Sequence, residues 1–326
     1  MTELPSSETP EFKNRRPGLI GCGIVHLLFG LMFVGFSALM VLMITAMPKA
    51  AQQPAMPIGM TVYTSLFYLL LAALFVTLGI GSMMARRWAP PLIQVTSWGW
   101  LLCGTLGGAV ALLVMPKALA TLPNQEPGAA AAAMGCMAVM FGLCGVAVPL
   151  AFVLFYRSPH VKKTVEILDP VPRWTDPQPV SMLIFASWML FGAVSVLLSS
   201  FMYKALPIGA FMLRGPAVFL GMAVMATLLF WIAVGTLRRI PAAWWSAIVM
   251  LIIGVTWGAL MITSTTPERM SEAMGIPFDA QQAAVTQAMY SNPFFFVWIA
   301  LFWLGYLAFL LYLRRYFFPP SERPAV

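Results

Sequence analysis

Residues Gly18–Met47 read GLIGCGIVHLLFGLMFVGFSALMVLMITAM, a run of thirty positions without one charged side chain. The hydrocarbon core of a bilayer is crossed by roughly 20 helical residues, so this run can span it. It is also too long for the apolar region of a secretory signal, which is about 7–15 residues. Ahead of it lies a polar stretch with Pro5, Ser6, Ser7 and Pro10 that ends on Arg15-Arg16. We read residues 1–17 as an uncleaved cytoplasmic tail leading into the first span.

The rest of the chain repeats this character. Of 326 residues, 60% are hydrophobic and only 9% charged, with a mean hydropathy of +0.86. A water-soluble domain carries about 25% charged residues, so composition excludes an ordinary soluble fold. Eight segments are long enough to cross: Gly18–Met47, Met60–Met84, Pro91–Met115, Gly128–Tyr156, Val180–Tyr203, Gly215–Leu237, Ala242–Ile262 and Pro293–Leu313. Hydrocarbon leaves backbone groups no external partner, so spans are helices or closed barrel strands. Barrel strands are about 10 residues long and alternate strictly. These runs are longer and apolar on all sides, and the expected fold class is all-α, an eight-helix polytopic membrane protein.

Basic residues set the orientation. Lys and Arg number 19 against 11 acids, a formal charge of +8. With a cytoplasmic N-terminus, 14 of the 19 fall in inner segments, including Arg86-Arg87, Arg238-Arg239 and Arg314-Arg315, and five in outer ones. Cytoplasmic loops gather Lys and Arg, so both termini are expected inside and no nucleic-acid partner is needed to explain the charge.

The chain also echoes itself. Arg86-Arg87-Trp88-Ala89-Pro90 returns as Arg238-Arg239-Ile240-Pro241, Gly104–Ala109 as Gly254–Ala259, and Pro57-Ile58-Gly59 as Pro207-Ile208-Gly209. Leu28-Phe29-Gly30 matches Leu190-Phe191-Gly192, and Ala151–Leu154 matches Ala308–Leu311. The five matches are collinear, with offsets between 150 and 162. They predict two four-helix repeats, 18–156 and 180–313, joined by a cytoplasmic linker at 157–179 and followed by a tail at 314–326. Four spans return the chain to its starting side, so the repeats are parallel rather than inverted. The linker carries Pro159, Pro170, Pro172, Pro177 and Pro179 and is expected to be irregular after one short helix near Val161–Leu168. Lys49, Lys117 and Lys204 close odd-numbered spans and are expected to snorkel to the outer interface. The longest outer loop, Ser264–Asn292, contains a capping-box pattern, Thr265-Thr266-Pro267-Glu268.

Within the spans, small residues predict close helix approach, because packing rather than a hydrophobic drive joins helices in lipid. These are Gly104 and Gly108 in span three, Gly254 and Gly258 in span seven, and a seam in span four that includes Gly135 and Gly142. Pro149 should kink span four. Phe295, Trp298, Phe302, Phe309 and Tyr312 form an aromatic stripe with Gly305 in span eight. Trp88, Trp174, Trp244, Trp245, Tyr156 and Tyr316 fit an interfacial belt.

No Asp or Glu falls inside a span, which argues against proton relays, carboxylate-lined channels and paired-aspartate proteolysis. No phosphate loop, GxSxG, HExxH or dinucleotide fingerprint occurs. His26, four residues after Cys22, and the Met134, Met137, Met140 row around Cys136 have the ligand chemistry for Cu(I). Met is also a flexible filler, and Trp188 takes the place of His26 in the second half, so neither metal nor cofactor is expected. The four cysteines form no CxxC pair.

The linker stretch Glu166-Ile-Leu-Asp-Pro-Val-Pro-Arg-Trp-Thr-Asp176 resembles linkers of uncharacterised bacterial multi-pass membrane proteins. That resemblance implies a bacterial inner-membrane setting and no activity. The sequence is therefore read as a non-enzymatic membrane component with lipid, a membrane protein or a second copy as partner. The alternative is a permease for a neutral or lipophilic solute with a site between the repeats, whose path would run by Gln94, Ser97, Thr105 and His26.

Overall fold

The computed structural model describes residues 12–46, 58–120, 127–208, 211–264, 266, 269, 273 and 293–318. Lys49, Gly209, Thr265, Pro267, Glu268 and most of the Ser264–Asn292 loop lie outside the described residues, as do both extreme termini; of the capping-box pattern Thr266 is described, and its Oγ1 accepts the Arg269 N–H at 3.4 Å.

The chain is helical almost throughout. Helix α1 covers Arg16–Ala46, α2 Ile58–Met83 and α3 Ala89–Ala120. Helix α4, Pro127–Met140, passes through a π-helical stretch at Phe141–Ala147 into α5, Val148–Tyr156. The linker helix α6 is Pro159–Leu168, and α7 is Val180–Ser199. Helix α8 covers Pro216–Leu237, α9 Pro241–Ser264 and α10 Pro293–Phe317. Among the described residues, seven helices are long and apolar enough to cross a membrane: α1, α2, the α4–α5 rod, α7, α8, α9 and α10. Eight spans were expected, and α3 is the one outside this set. Leu28, Leu31, Leu154, Leu220, Val224 and Leu304 point outward, as a hydrocarbon solvent permits.

One element departs from the all-α expectation. Strand β1, Ala205–Ile208, pairs antiparallel with β2, Phe211–Arg214, in the register Ala205 to Arg214 and Ile208 to Phe211. Pro207 cannot donate to a ladder and is tolerated because a two-stranded ribbon is all edge. The supposed counterparts Ile58-Gly59 open α2 instead, so the matched Ile58 and Ile208 have different backbones.

The helices pair in sequence order, α1 on α2, α7 on α8, and α9 on α10, while α3 packs on α5 and its π-helical extension and also on α7. Helices α1 and α2 come close at Gly23 and Gly79, where a Cβ on either would press on the other's carbonyl oxygen. Gly30 faces Val76 across the same pair, and Gly192 faces Leu229 across α7 and α8.

Two turns share one construction. After α2, the Ala85 N–H donates to Ser82 O and the Arg86 N–H to Gly81 O. After α8, the Arg239 N–H donates to Thr236 O and the Ile240 N–H to Gly235 O. Both are Schellman closures, which place one residue in the left-handed region. Here those residues are Ala85 (φ 51°) and Arg239 (φ 56°) rather than glycine. A glycine is required earlier in each turn: a Cβ on Gly81 would strike Trp88 and Ala89, and one on Gly235 would strike Ala243.

These turns sit on two buried clusters at the same end of the molecule. One joins Leu19, Leu78, Ile93, Phe152, Tyr156 and Val161; the other joins Met182, Phe185, Ile232, Trp244, Leu310 and Leu313. Tyr156 and Trp244 thus leave the expected interfacial belt for the core, whereas Trp174 and Trp245 remain exposed. The indole N–H of Trp244 donates to Leu310 O at 2.8 Å, satisfying its one polar atom inside.

Candidate functional site: a cavity at the linker end

The linker folds back onto the turn between α2 and α3. The backbone N–H of Arg87 donates to Asp169 Oδ2 (3.1 Å), and its guanidinium reaches Asp176 Oδ2 (3.1 Å), Pro170 O (3.3 Å) and Glu166 Oε1 (4.0 Å). Arg173 closes the cluster, its Nη2 on Asp169 Oδ1 (3.2 Å) and its N–H on Asp176 Oδ2 (2.9 Å). The Arg87 N–H holds the Asp169 carboxyl below the usual carboxylate range; burial opposes this, and Arg173 adds to it. Farther on, Gln178 Nε2 donates to Leu237 O (3.2 Å) and Arg239 Nη2 to Pro177 O (3.1 Å). One segment thereby touches the turn after α2 and the turn after α8.

Helix α6 is anchored from the other side. Thr164 Oγ1 accepts the Arg15 N–H at 3.1 Å, and Lys163 stands over the Phe12 ring at 5.3 Å. Between α6, the start of α3, the end of α5 and the start of α7 lies a cavity of about 570 Å³. Arg87, Gln94, Tyr156, Arg157, Lys162, Glu166, Thr175, Asp176 and Gln178 line it. Below it the Ser82 hydroxyl donates to Leu19 O (2.8 Å) and meets Tyr156 OH at 2.5 Å. A hydroxyl has one proton, so Tyr156 is the donor of that second bond.

The expected path residues do not converge. Gln94 lines the cavity, at the linker end rather than at mid-membrane depth. Ser97, one turn farther along α3, is 1% exposed and its Oγ has no partner among the described residues. Thr105 is exposed and bonds back to Leu101 O and Leu102 O. His26 is buried, with Nδ1 2.9 Å from Cys22 O of its own helix and its ring between Phe75 and Phe152. A carbonyl only accepts, so Nδ1 carries the proton.

The glycines divide similarly. Gly104 sits on the Gly145 backbone, Gly108 on Phe141 and Gly254 on Trp303. Spans three and seven therefore each pack on the following span, not on one another through these glycines. Gly135, Gly142 and Gly258 meet nothing within 4 Å among the described residues. Pro149 has no N–H for the Gly145 carbonyl, and the π-helical stretch precedes it. That wider turn brings Gly145 onto α3 and leaves Gly142 outside the contact. In α10 the packed face is Trp303, Tyr306, Leu310 and Leu313, of which the aromatic stripe contributes only Phe309 at its edge, against Phe185. Among the described residues no three His, Cys, Asp or Glu side chains gather closely enough to hold a metal ion.

Sequence reasoning missed Ser82, Tyr156 and the Gly23–Gly79 crossing. Their only signals were a serine and two glycines in apolar runs. The chain matches no protein-family model, no curated protein and no solved structure.

Proposed function

We propose that this chain is a non-enzymatic component of a bacterial inner membrane, a scaffold or subunit that binds other membrane proteins through its helix faces. The observation that carries this reading is the closure along α3. Ser97 is sealed, Gly99 faces the Trp188 indole, and Gly104 lies on the Gly145 backbone. A solute path beside span three would need room at these three levels.

The same reading makes α3 the eighth span. Its 32 residues at 1.5 Å each reach about 48 Å, and it packs on the spanning rods α5 and α7. The two Schellman turns, 154 positions apart at Ala85 and Arg239, support two parallel four-helix repeats. They also favour an offset of 154 over the 152 suggested by the Arg-Arg pairs. The basic residues on the linker side support cytoplasmic termini.

Native mass spectrometry of the protein extracted with its surrounding lipid tests the proposal. A protein subunit in fixed stoichiometry is expected. A retained small solute with no protein partner would replace this reading with that of a permease.

A further inference from the structure

The linker-end cavity has chemistry that the reading above does not use. Three helices open onto it by their first turns: α3 at Pro90 and Pro91, α6 at Pro159 and Lys162, and α7 at Val180. Helix N-termini carry partial positive charge, so the three fields add inside one space. The prolines supply no N–H, which leaves side chains to make the bonds. Arg157 and Lys162 line the cavity without an ion pair among the described residues, while both acids in the wall, Glu166 and Asp176, face Arg87.

Thr175 is the independent pointer to a ligand. It is 1% exposed and lines the cavity, and its Oγ1 has no partner among the described residues. Gln178 Oε1 is likewise buried and unpaired, its amide nitrogen being spent on Leu237 O. A buried polar atom with no bond has lost its water without replacement, and a ligand that bonds it recovers that loss.

We infer that this cavity binds a phosphate ester, with the phosphate between Arg157 and Lys162, the Thr175 hydroxyl donating to it, and Gln178 Oε1 accepting a hydroxyl or ammonium of the same molecule. The volume falls within the roughly 300–1,000 Å³ of small-molecule sites. Basic pockets between spanning helices suit phospholipid headgroups, and a soluble ester presents the same group.

The full chain in detergent, stripped of lipid, is titrated with short-chain phosphatidylglycerol, with glycerol 3-phosphate and with phosphate-free galactosyl diacylglycerol. Trp174, adjacent to Thr175 and exposed, reports by fluorescence. Saturable response to the phospholipid alone assigns a headgroup, and response to both phosphates assigns a soluble ester; either supports the site. The double variant Arg157→Gln/Lys162→Gln should weaken binding about 30-fold, at about a fivefold loss per charge. Thr175→Val should weaken it about fivefold and stands in if the double variant does not fold. Arg238→Gln, outside the cavity, should bind as the parent does. Equal response to the galactolipid, no saturable response to either phosphate, or unchanged affinity in the cavity variants overturns the inference. None of these outcomes bears on whether a protein subunit co-purifies.

Discussion

Ala85 and Arg239 occupy the same left-handed backbone region, at φ 51° and 56°, each as the residue on which a long helix ends. For an L-residue that conformation costs roughly 1–2 kcal/mol, and branching at Cβ makes it worse. Ala85 is also packed in the first buried cluster. Ala85→Val should lower stability by about 2–3 kcal/mol through strain and overpacking, whereas Ala85→Gly should stay within about 1 kcal/mol of the parent. Thermal unfolding in detergent separates them, and equal melting points would remove the left-handed turn from the account.

Gly104 and Gly258 stand in equivalent motifs with opposite surroundings. A methyl on Gly104 meets the Gly145 backbone, which cannot rotate away, so Gly104→Ala should cost about 2–3 kcal/mol. A methyl on Gly258 meets nothing within 4 Å among the described residues, so Gly258→Ala should be neutral or stabilise by up to about 1 kcal/mol. Denaturant unfolding of the pair checks the contrast.

The Asp169 carboxyl titrates below its ordinary range because the Arg87 N–H binds its charged form. A lowered folded value means that the unfolded chain takes up the proton more readily. The stabilisation is therefore complete at neutral pH and is lost as pH falls through the carboxylate range, near about 4, and below. Trp174 emission should report the linker loosening on acidification. Asp169→Asn should flatten that transition; an unaltered acid profile in the variant would contradict the assignment.

Tyr156 and Ser82 share one hydrogen bond inside the first cluster. Tyr156→Phe leaves Ser82 bonded to Leu19 O and should cost about 1 kcal/mol. Ser82→Ala leaves the Tyr156 hydroxyl only the weakly bonding Cys22 thiol and should cost about 1–2 kcal/mol. The double change should cost less than the two singles added, which a double-mutant cycle measures.

Cysteines placed at Trp174 and Phe211, both well exposed, should label from opposite sides. An impermeant maleimide should reach Phe211→Cys in intact cells and Trp174→Cys only after lysis. The reverse pattern would invert the proposed orientation.

Seven spanning helices were legible because hydrocarbon selects by length and apolarity, both of which are one-dimensional. The linker helix, expected at Val161–Leu168, begins at Pro159, where a proline fits the first turn. What was not legible depends on pairing. Glycine at a position states that a neighbour can come near, not which one: Gly104 found Gly145, whereas Gly135 and Gly142 found none among the described residues. Arg87 and Asp169 are separated by 82 residues, and neither charge alone suggests the other. Tyr156 looked interfacial because it ends a span beside Arg157, and only the serine across from it explains its burial. The β1–β2 ribbon was hidden by a triplet, Pro207-Ile208-Gly209, that also occurs at the entry to α2.

Away from the linker, α2 and α3 meet α7 through contacts such as Phe67 on Phe191 and Gly99 on the Trp188 indole. Acyl chains compete for such surfaces on nearly equal terms. The polar tie is the strap that pins Asp169 and Asp176 to the turn after α2 and Pro177 and Gln178 to the turn after α8. A single protease nick between Asp176 and Pro177 would sever that tie while leaving every helix on either side of the cut whole.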